Sequence, residues 1–491
     1  MKKYIKFPIW VLLVTLVFAS CNKDLLDPVP KLAISDLTAF DTRDRILGQV
    51  TGMYAAMKDG QYLGGRYLVY NDIRSDDFLN LQQNGVTGLQ TWNHTVSNST
   101  NEVQNLWGAV YAGVNRVNMF LEGLEASKAK IIPSMISQAE FDQFKGEALA
   151  LRGMAYFHLS MLYARPFKQS PAGLGMILRL IAERSPANNA LARSTVQQTY
   201  DQILLDLNAA EGLLPAVSGA NTVARVTRFQ KSSVAAFKTR VYLHMENWDK
   251  VIEEANKVVS PAAPFTAPAT SVSYALAATF PVVFTTPFIS AESIFSMPMT
   301  STELPGTQNS LAHYFSASTI GNNEYPINLT SVVWASAEFP DTDARRVLIT
   351  DITIGGTARK FLAKYKTNSD FIPVIRYAEV LLNLAEAEAR KSGVSARALA
   401  LLNAVYLRSN PAGTAYSAAN FTGTDAFVDR LMLERNIEFL GEGIRNMDVM
   451  RKLAPFAAKP GVGAVPVSSI AYAWPIPLTE SNTNPLVQPN P

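Results

Sequence analysis

The 491-residue sequence predicts a mainly α-helical protein, and three observations carry that expectation. Beyond residue 31, apolar residues recur mostly at steps of three and four. Period-two alternation, the mark of a half-buried strand, is scarce until the middle of the chain. Twice a helical pattern stops at a few polar residues and resumes, as in a helical hairpin. With 48% hydrophobic and 17% charged residues, the chain has material for a sizeable core and is neither disordered nor collagen-like.

The first element is a secretory signal over residues 1–20: a basic MKKYIK, then the twelve apolar residues Phe7–Phe18, then Ala19-Ser20-Cys21. Twelve residues of helix rise about 18 Å, short of the ~30 Å hydrocarbon core, so the segment does not read as a membrane span. Cys21 is the only cysteine, which excludes disulfides and thiolate metal clusters. Its setting resembles the lipobox of bacterial lipoproteins, with Phe18 where leucine is usual; the resemblance implies that Cys21 carries the lipid anchor. Residues 21–31, polar and with two prolines, read as an extended tether. The leader holds Lys2, Lys3 and Lys6 and no acid, so its removal takes the 44 basic residues down to the 41 acids and the net charge from +3 to zero. A chain without net positive charge is poorly suited to nucleic acid, and no nucleic-acid partner is expected.

An N-terminal helical part, 32–260, follows, with helices expected near 36–58, 102–125, 138–163, 194–213 and 229–259. The last is two helices broken at Glu246-Asn247, a hairpin of the kind that stacks in solenoids. Within a C-terminal part, 261–491, a second hairpin is expected at 374–409. Its first helix carries the stripe Ile375, Ala378, Leu382, Ala385 and Ala389, and Ser392-Gly393 breaks it. Between the hairpins, residues 260–372 turn rich in proline, serine, threonine and alanine, and read as loops with a few short strands. So long an irregular insertion usually carries function or packs as a cover. A further irregular stretch, 454–491, closes the chain.

Chemistry is hard to find. Glu434, Glu438 and Glu442 stand at i, i+4 and i+8, and on one helical face they would invite a carboxylate mechanism. Like charges so spaced repel, however, and suggest arginines such as Arg435, Arg445 and Arg408 bridging them in a structural network. Stacked on one face, they also lack a partner across a substrate gap. His94, His158, His244 and His313 are scattered without ligand spacing, and no phosphate-binding, dinucleotide or nucleophile-elbow motif is present, so no metal, cofactor or enzymatic activity is expected.

Residues 434–451, ERNIEFLGEGIRNMDVMR, resemble the C-terminal signature of the SusD/RagB family, E-R-x-x-E-L-x-x-E-G-x-R-x-x-D-x-x-R. Glu434, Arg435, Glu438, Glu442, Gly443, Arg445, Asp448 and Arg451 fall in place. IRYAEVLLNLAEA, EALALRGMAYFHLSMLYARPF and the closing WPIPLTE...NPLVQPNP resemble further family segments in the right order. So do Ser75-Asp76-Asp77 and the spacing of Trp107, Tyr111 and Asn115. Tyr406, Ala164 and Asn446 depart from the pattern, where arginine, glycine and an aromatic are usual. The resemblance implies a SusD-like single large unit of tetratricopeptide-like helix hairpins with an irregular, loop-rich ligand-facing region. It implies a lipoprotein at the outer membrane, surface-exposed, closing as a hinged lid over a SusC-like TonB-dependent transporter.

The expected activity is therefore binding. Sugars are recognised by aromatic faces with amides and carboxylates on their hydroxyls. Trp92, in a polar segment that borders the family's ligand face, and Trp334 and Tyr314, in the irregular insertion, are the candidate ligand contacts; Trp107 and Trp248 lie in helical patterns and read as core. A glycan or oligosaccharide is the expected ligand. Peptide capture, and a structural subunit that caps the transporter without a ligand preference of its own, stay open at this stage.

Overall fold

The computed structural model describes residues 38–317 and 320–490, so the signal, Cys21 and the tether lie outside the described residues. Helix α1 (Arg43–Met57) begins where Thr42 accepts the Arg45 N–H at 3.3 Å, and buries Ile46, Val50, Met53 and Met57 at helical steps. Helix α2 (Arg66–Ile73) went unpredicted. All eight of its residues are buried, including Arg66, Asn71 and Asp72, so it has no polar face and hence no stripe to read.

Helices α3 (Asn101–Ala126), α4 (Gln138–Tyr163) and α5 (Val196–Leu213) fall where the apolar periodicity put them. Two of them start at reciprocal caps. Ser137 accepts the Glu140 N–H at 3.2 Å while the Glu140 carboxylate accepts the Ser137 N–H at 3.0 Å. Thr195 and Gln198 repeat the arrangement at 3.0 and 2.9 Å. The expected break separates α6 (Lys231–His244) from α7 (Trp248–Asn256), with Glu246 at φ +54° and Asn247 capping α7 through the Lys250 N–H at 3.2 Å.

The insertion holds strands β1 (Ser293–Met297), β2 (Ile349–Ile354) and β3 (Thr357–Leu362), followed by β4 (Ile372–Arg376). β2 and β3 form an antiparallel hairpin across Gly355-Gly356, both at positive φ as a two-residue turn of that hand requires. β1 pairs with β4, Phe295 opposite Ile375. This corrects the start of the second hairpin: Ile375 belongs to β4, and α8 (Tyr377–Ser392) begins two residues later, where the Tyr377 N–H donates to the Glu292 carbonyl at 2.9 Å. Helices α9 (Ala396–Ser409), α10 (Thr424–Glu438) and α11 (Arg445–Arg451) complete the chain's longer elements.

From α3 to α9 each helix packs on the next in sequence, so helix pairs stack in series, as expected of hairpins. Helix α8 also packs on α6 and α10. One hydrophobic core runs through both halves, from Ala39 to Ile476, and it takes in Trp107; Trp248 is only half-buried, against a small cluster around Tyr242 and Val251.

Candidate ligand-binding face and the charge network beneath it

The signature residues form a buried lattice of charge. Arg376 lies 2.7 Å from Glu442, 3.1 Å from Glu438, and also pairs with Glu292. Arg408 reaches Glu292 at 2.8 Å and Glu438 at 2.5 Å. Arg345 binds Glu434 at 2.6 Å, Glu438 at 3.1 Å and Asp343 at 2.6 Å. Lys364 takes Glu442 at 2.7 Å and Arg430 takes Glu434 at 2.8 Å. Five acids thus meet five bases, all nearly or fully buried. Burial alone would raise the Glu438 carboxyl; Arg408, Arg376 and Arg345 outweigh it and hold the group well below the usual carboxylate range.

Two sequence expectations change here. The three glutamates do not share a helical face, because α10 ends at Glu438 and Gly441, at φ +83°, turns the chain before Glu442. Of the three arginines expected to bridge them, only Arg408 does. Arg435 pairs with Asp448 at 2.8 Å, and Arg445 lies 3.7 Å from Asp77. Arg345, Lys364, Arg376 and Glu292 were missed; each comes from a segment remote in sequence, and local spacing holds no trace of them. Every carboxylate in the lattice is engaged by a cation, leaving no free acid facing a substrate-sized gap.

The Ser75-Asp76-Asp77 segment ties this lattice to the loops above it. Asn328 donates to the Asp76 carbonyl at 2.8 Å, the Val332 N–H to the Asp76 carboxylate at 3.1 Å, and Asn436 to Asp77 at 3.2 Å. Lys459 donates to the carbonyls of Ile73 and Ser75 at 2.6 and 3.1 Å. Burial pushes the Asp77 carboxyl up to about 6 against the pull of Arg445, with Asp76 adding to the rise. An unfolded aspartate loses its proton near pH 3.9. Folding therefore takes up a proton between about pH 4 and 6, and the group's stabilising contribution is full below pH 4 and lost as pH rises through 6. Asp77→Asn is expected to remove this part of the pH dependence, on the order of 2–3 kcal/mol. Urea midpoints at pH 4 and pH 7 should then lie closer together in the variant than in the parent; unchanged spacing would mean that Asp77 is ionised throughout.

Two irregular segments zip into the loop face. Phe78 bridges Ile327, the Leu79 N–H donates to the Pro326 carbonyl and the Leu81 N–H to the Glu324 carbonyl, both at 2.9 Å, and Gln82 reaches the Asn322 carbonyl at 2.9 Å. Beneath, Asn80 donates to the Tyr325 hydroxyl at 3.0 Å, and Tyr325 donates to the Thr87 carbonyl at 2.9 Å. The surface so built exposes Gln82, Gln83, Val86, Leu329 and Val332, amide and apolar groups side by side.

The three candidate aromatics are not gathered into one cleft. Trp92 is 8% exposed; its indole N–H donates to the Phe78 carbonyl at 2.8 Å and the Lys459 ammonium lies 4.9 Å from its ring centroid. Tyr314 is fully buried and stacked 6.0 Å from Tyr325. Both rings pack the underside of the loop face and offer no open face to a sugar. The polar neighbours of Trp92 along the chain suggested a surface position, but it lies on the short helix Leu89–Asn93, whose side chains at Thr91 and Trp92 turn inward. Trp334 is half-buried beside exposed Val332, edge-on to Phe339, with the Arg346 guanidinium 3.9 Å from its ring centroid. Just past Trp92, residues 94–98 and the C-terminal segment 470–490 enclose a recess of about 370 Å³ lined by Thr95, Ser97, Asn98, Ile476 and Asn490 among others. Sequence reasoning missed this recess, because its two walls are almost four hundred residues apart in the chain.

Comparison with known proteins adds the following. Residues 26–243 match a family model described as starch-binding, associating with the outer membrane, and residues 338–491 match the SusD family. A solved SusD superfamily protein from Bacteroides fragilis is 32% identical, with a TM-score of 0.81 over 91% of this chain and 99% of that one. A laminarin-binding SusD-like protein has the same fold at 20% identity, with a TM-score of 0.69 over 92% of this chain and 99% of its own. A SusD-like protein of Formosa agariphila is 27% identical over 253 residues, 51% of this chain and 44% of that protein, so the match spans less than half of that relative.

Proposed function

The chain belongs to the SusD/RagB family, and from that membership we propose that it is a cell-surface lipoprotein that captures a glycan or its oligosaccharides and hands them to a SusC-like TonB-dependent transporter, over which it closes as a hinged lid. The observation that carries this reading is the correspondence, over nearly the whole chain, with the Bacteroides fragilis structure. Cys21 would carry the lipid that holds the protein at the outer membrane. No helix among the described residues is long and apolar enough to cross a membrane, which is consistent with an anchor of that kind.

The ligand would meet the loop face. Exposed amides at Gln82 and Gln83 can pair with hydroxyls, and Val86, Leu329 and Val332 can cover the C–H faces of a sugar ring. Trp334 is the aromatic contact proposed here; it is half-buried, two residues along the chain from exposed Val332. Trp92 and Tyr314 would act from below, by holding the loops in shape. Lid closure would be driven only by contacts that ligand or transporter makes in the closed state and not in the open one.

The test is a titration of the mature protein with a panel of oligosaccharides, laminarin fragments included because a SusD-like protein of the same fold is named for binding that glycan. Saturable binding of at least one glycan is expected. Trp334→Ala should weaken it roughly tenfold, the contribution of about 1–2 kcal/mol from one aromatic contact. Binding only to peptides, or no binding to any nutrient, would overturn the glycan reading.

A further inference from the structure

Asn84 and Gly85 are the only Asn-Gly pair in the sequence. They lie on the loop face, inside a stretch from Phe78 to Asn101 that contains no Asp, Glu, Lys or Arg. Gln82, Gln83, Gly85 and Val86 are exposed, and Asn84 is half-buried among them. Recognition of a ligand by Gln82, Gln83 and Val86 makes no use of the pair.

The asparagine closes its own turn. Its side-chain carbonyl oxygen, Oδ1, accepts the Val86 N–H at 2.9 Å, and its main-chain carbonyl accepts the Thr87 N–H at 3.2 Å. The ring closed by the first of these bonds includes the Gly85 nitrogen, so the carboxamide carbon Cγ is drawn towards that atom. Gly85 carries no Cβ to obstruct the approach. Its N–H makes no hydrogen bond among the described residues and belongs to an exposed residue, so a base in solvent can take the proton. The Val86 N–H is already aimed at Oδ1, the atom on which negative charge grows when Cγ is attacked.

We propose that Asn84 is a modification site, deamidated without an enzyme through a cyclic imide, so that the loop face of the ageing protein gains a carboxylate where it had an amide. The only co-reactant is water. The Gly85 nitrogen, its proton taken by base, forms a bond to Asn84 Cγ; the carboxamide C–N bond then breaks, and the nitrogen leaves as ammonia with the proton returned to it. Water next opens the imide. Attack at Cγ breaks the new bond and gives aspartate at position 84, whereas attack at the main-chain carbonyl gives isoaspartate, with the backbone running through the former side chain. Either product is the only acidic side chain between Asp77 and Glu102, and isoaspartate also takes away the main-chain carbonyl that accepts the Thr87 N–H. The site follows from the turn alone; only the statement that a glycan would meet the new charge rests on the reading of the loop face.

The experiment is incubation of the folded mature protein at mildly alkaline pH, with samples digested and mapped by mass spectrometry over time. The peptide that holds residue 84 should exchange an NH₂ for an OH and split into an aspartate and an isoaspartate form, the second of which a protein isoaspartyl methyltransferase labels. In water carrying heavy oxygen, the product should take up one heavy atom. Conversion should quicken as pH rises, because the attacking nitrogen must lose its proton. Asn98, exposed and followed by Ser99, is the internal reference: the residue after it has a Cβ, and its conversion should lag well behind. Gly85→Ala should slow conversion at Asn84 about tenfold or more. The substitution leaves the fold intact, since the added carbon would meet only the Gln90 side chain, at an ordinary 3.6 Å. A peptide of residues 80–90 incubated alongside separates chemistry from fold. Full retention of Asn84 in the protein after the peptide has converted would overturn the proposal, because the turn would then protect the residue. So would equal rates at Asn84 and Asn98, an undiminished rate in Gly85→Ala, or a product free of heavy oxygen.

Discussion

Glu438→Ala should cost at least ~3–5 kcal/mol of stability and leave little soluble protein, because it strips the common partner from three buried guanidinium groups. Arg345, Arg376 and Arg408 approach this one carboxylate at 3.1, 3.1 and 2.5 Å, with side chains only 2%, 2% and 5% exposed. A balanced lattice of five acids and five bases would become one of four and five in a region with no solvent screening. Glu438→Gln keeps the shape and an acceptor but not the charge, and its loss should be smaller yet still readily measured. The pH dependence separates charge from packing. The folded carboxyl is held well below its unfolded value, so its contribution is complete above the unfolded pKa, near 4.3, and is lost as pH falls through the folded one. Urea unfolding of the parent should therefore weaken below about pH 4, and Glu438→Gln should show less of that decline. A Glu438→Ala protein with the parent's urea midpoint would mean that the lattice contributes nothing net.

Legibility in the sequence follows how local each cause is. Helix α4 was read with the observed ends because its cap, its periodicity and its length all lie within one stretch, Ser137 to Tyr163. Helix α2 was invisible for the opposite reason: tertiary burial on every side removes the polar face that a pattern needs, and its Arg66, Asn71 and Asp72 look like loop residues until their partners are known. The signature identified the family, yet the partners of its acids could not be read from it, since Arg345, Arg376 and Glu292 reach Glu438 or its neighbours across 62 to 93 residues or more. Trp92 carries the same lesson at the candidate site. Its chain neighbours are polar and its environment is not, and only the contact with Phe78, 14 residues away, says which wins.

Gly443→Ala tests a single position where backbone conformation and packing act together. The turn between α10 and α11 passes Gly443 at φ +74°, a left-handed conformation that costs a residue with a Cβ roughly 1–2 kcal/mol. The added carbon would stand 2.7 Å from the Leu68 Cα and 2.9 Å from its Cβ, inside any real contact, and Leu68 belongs to the fully buried α2, which has nowhere to retreat. The turn cannot shift away freely either, because the Gly443 N–H donates to the Asp72 carboxylate at 2.8 Å, another residue of the same helix. Overpacking of this kind typically costs a further 1–3 kcal/mol. Gly443→Ala is therefore expected to lose about 2–5 kcal/mol in urea unfolding. Gly48 supplies the control. It lies in the middle of α1 with nothing within 4 Å of its would-be Cβ, so Gly48→Ala should gain up to about 1 kcal/mol from helix propensity. Equal effects of the two substitutions would show that the close approach of the signature turn to α2 does not constrain the fold. Opposite signs would tie the glycine of the E-G-x-R motif to the contact between the two halves of the chain.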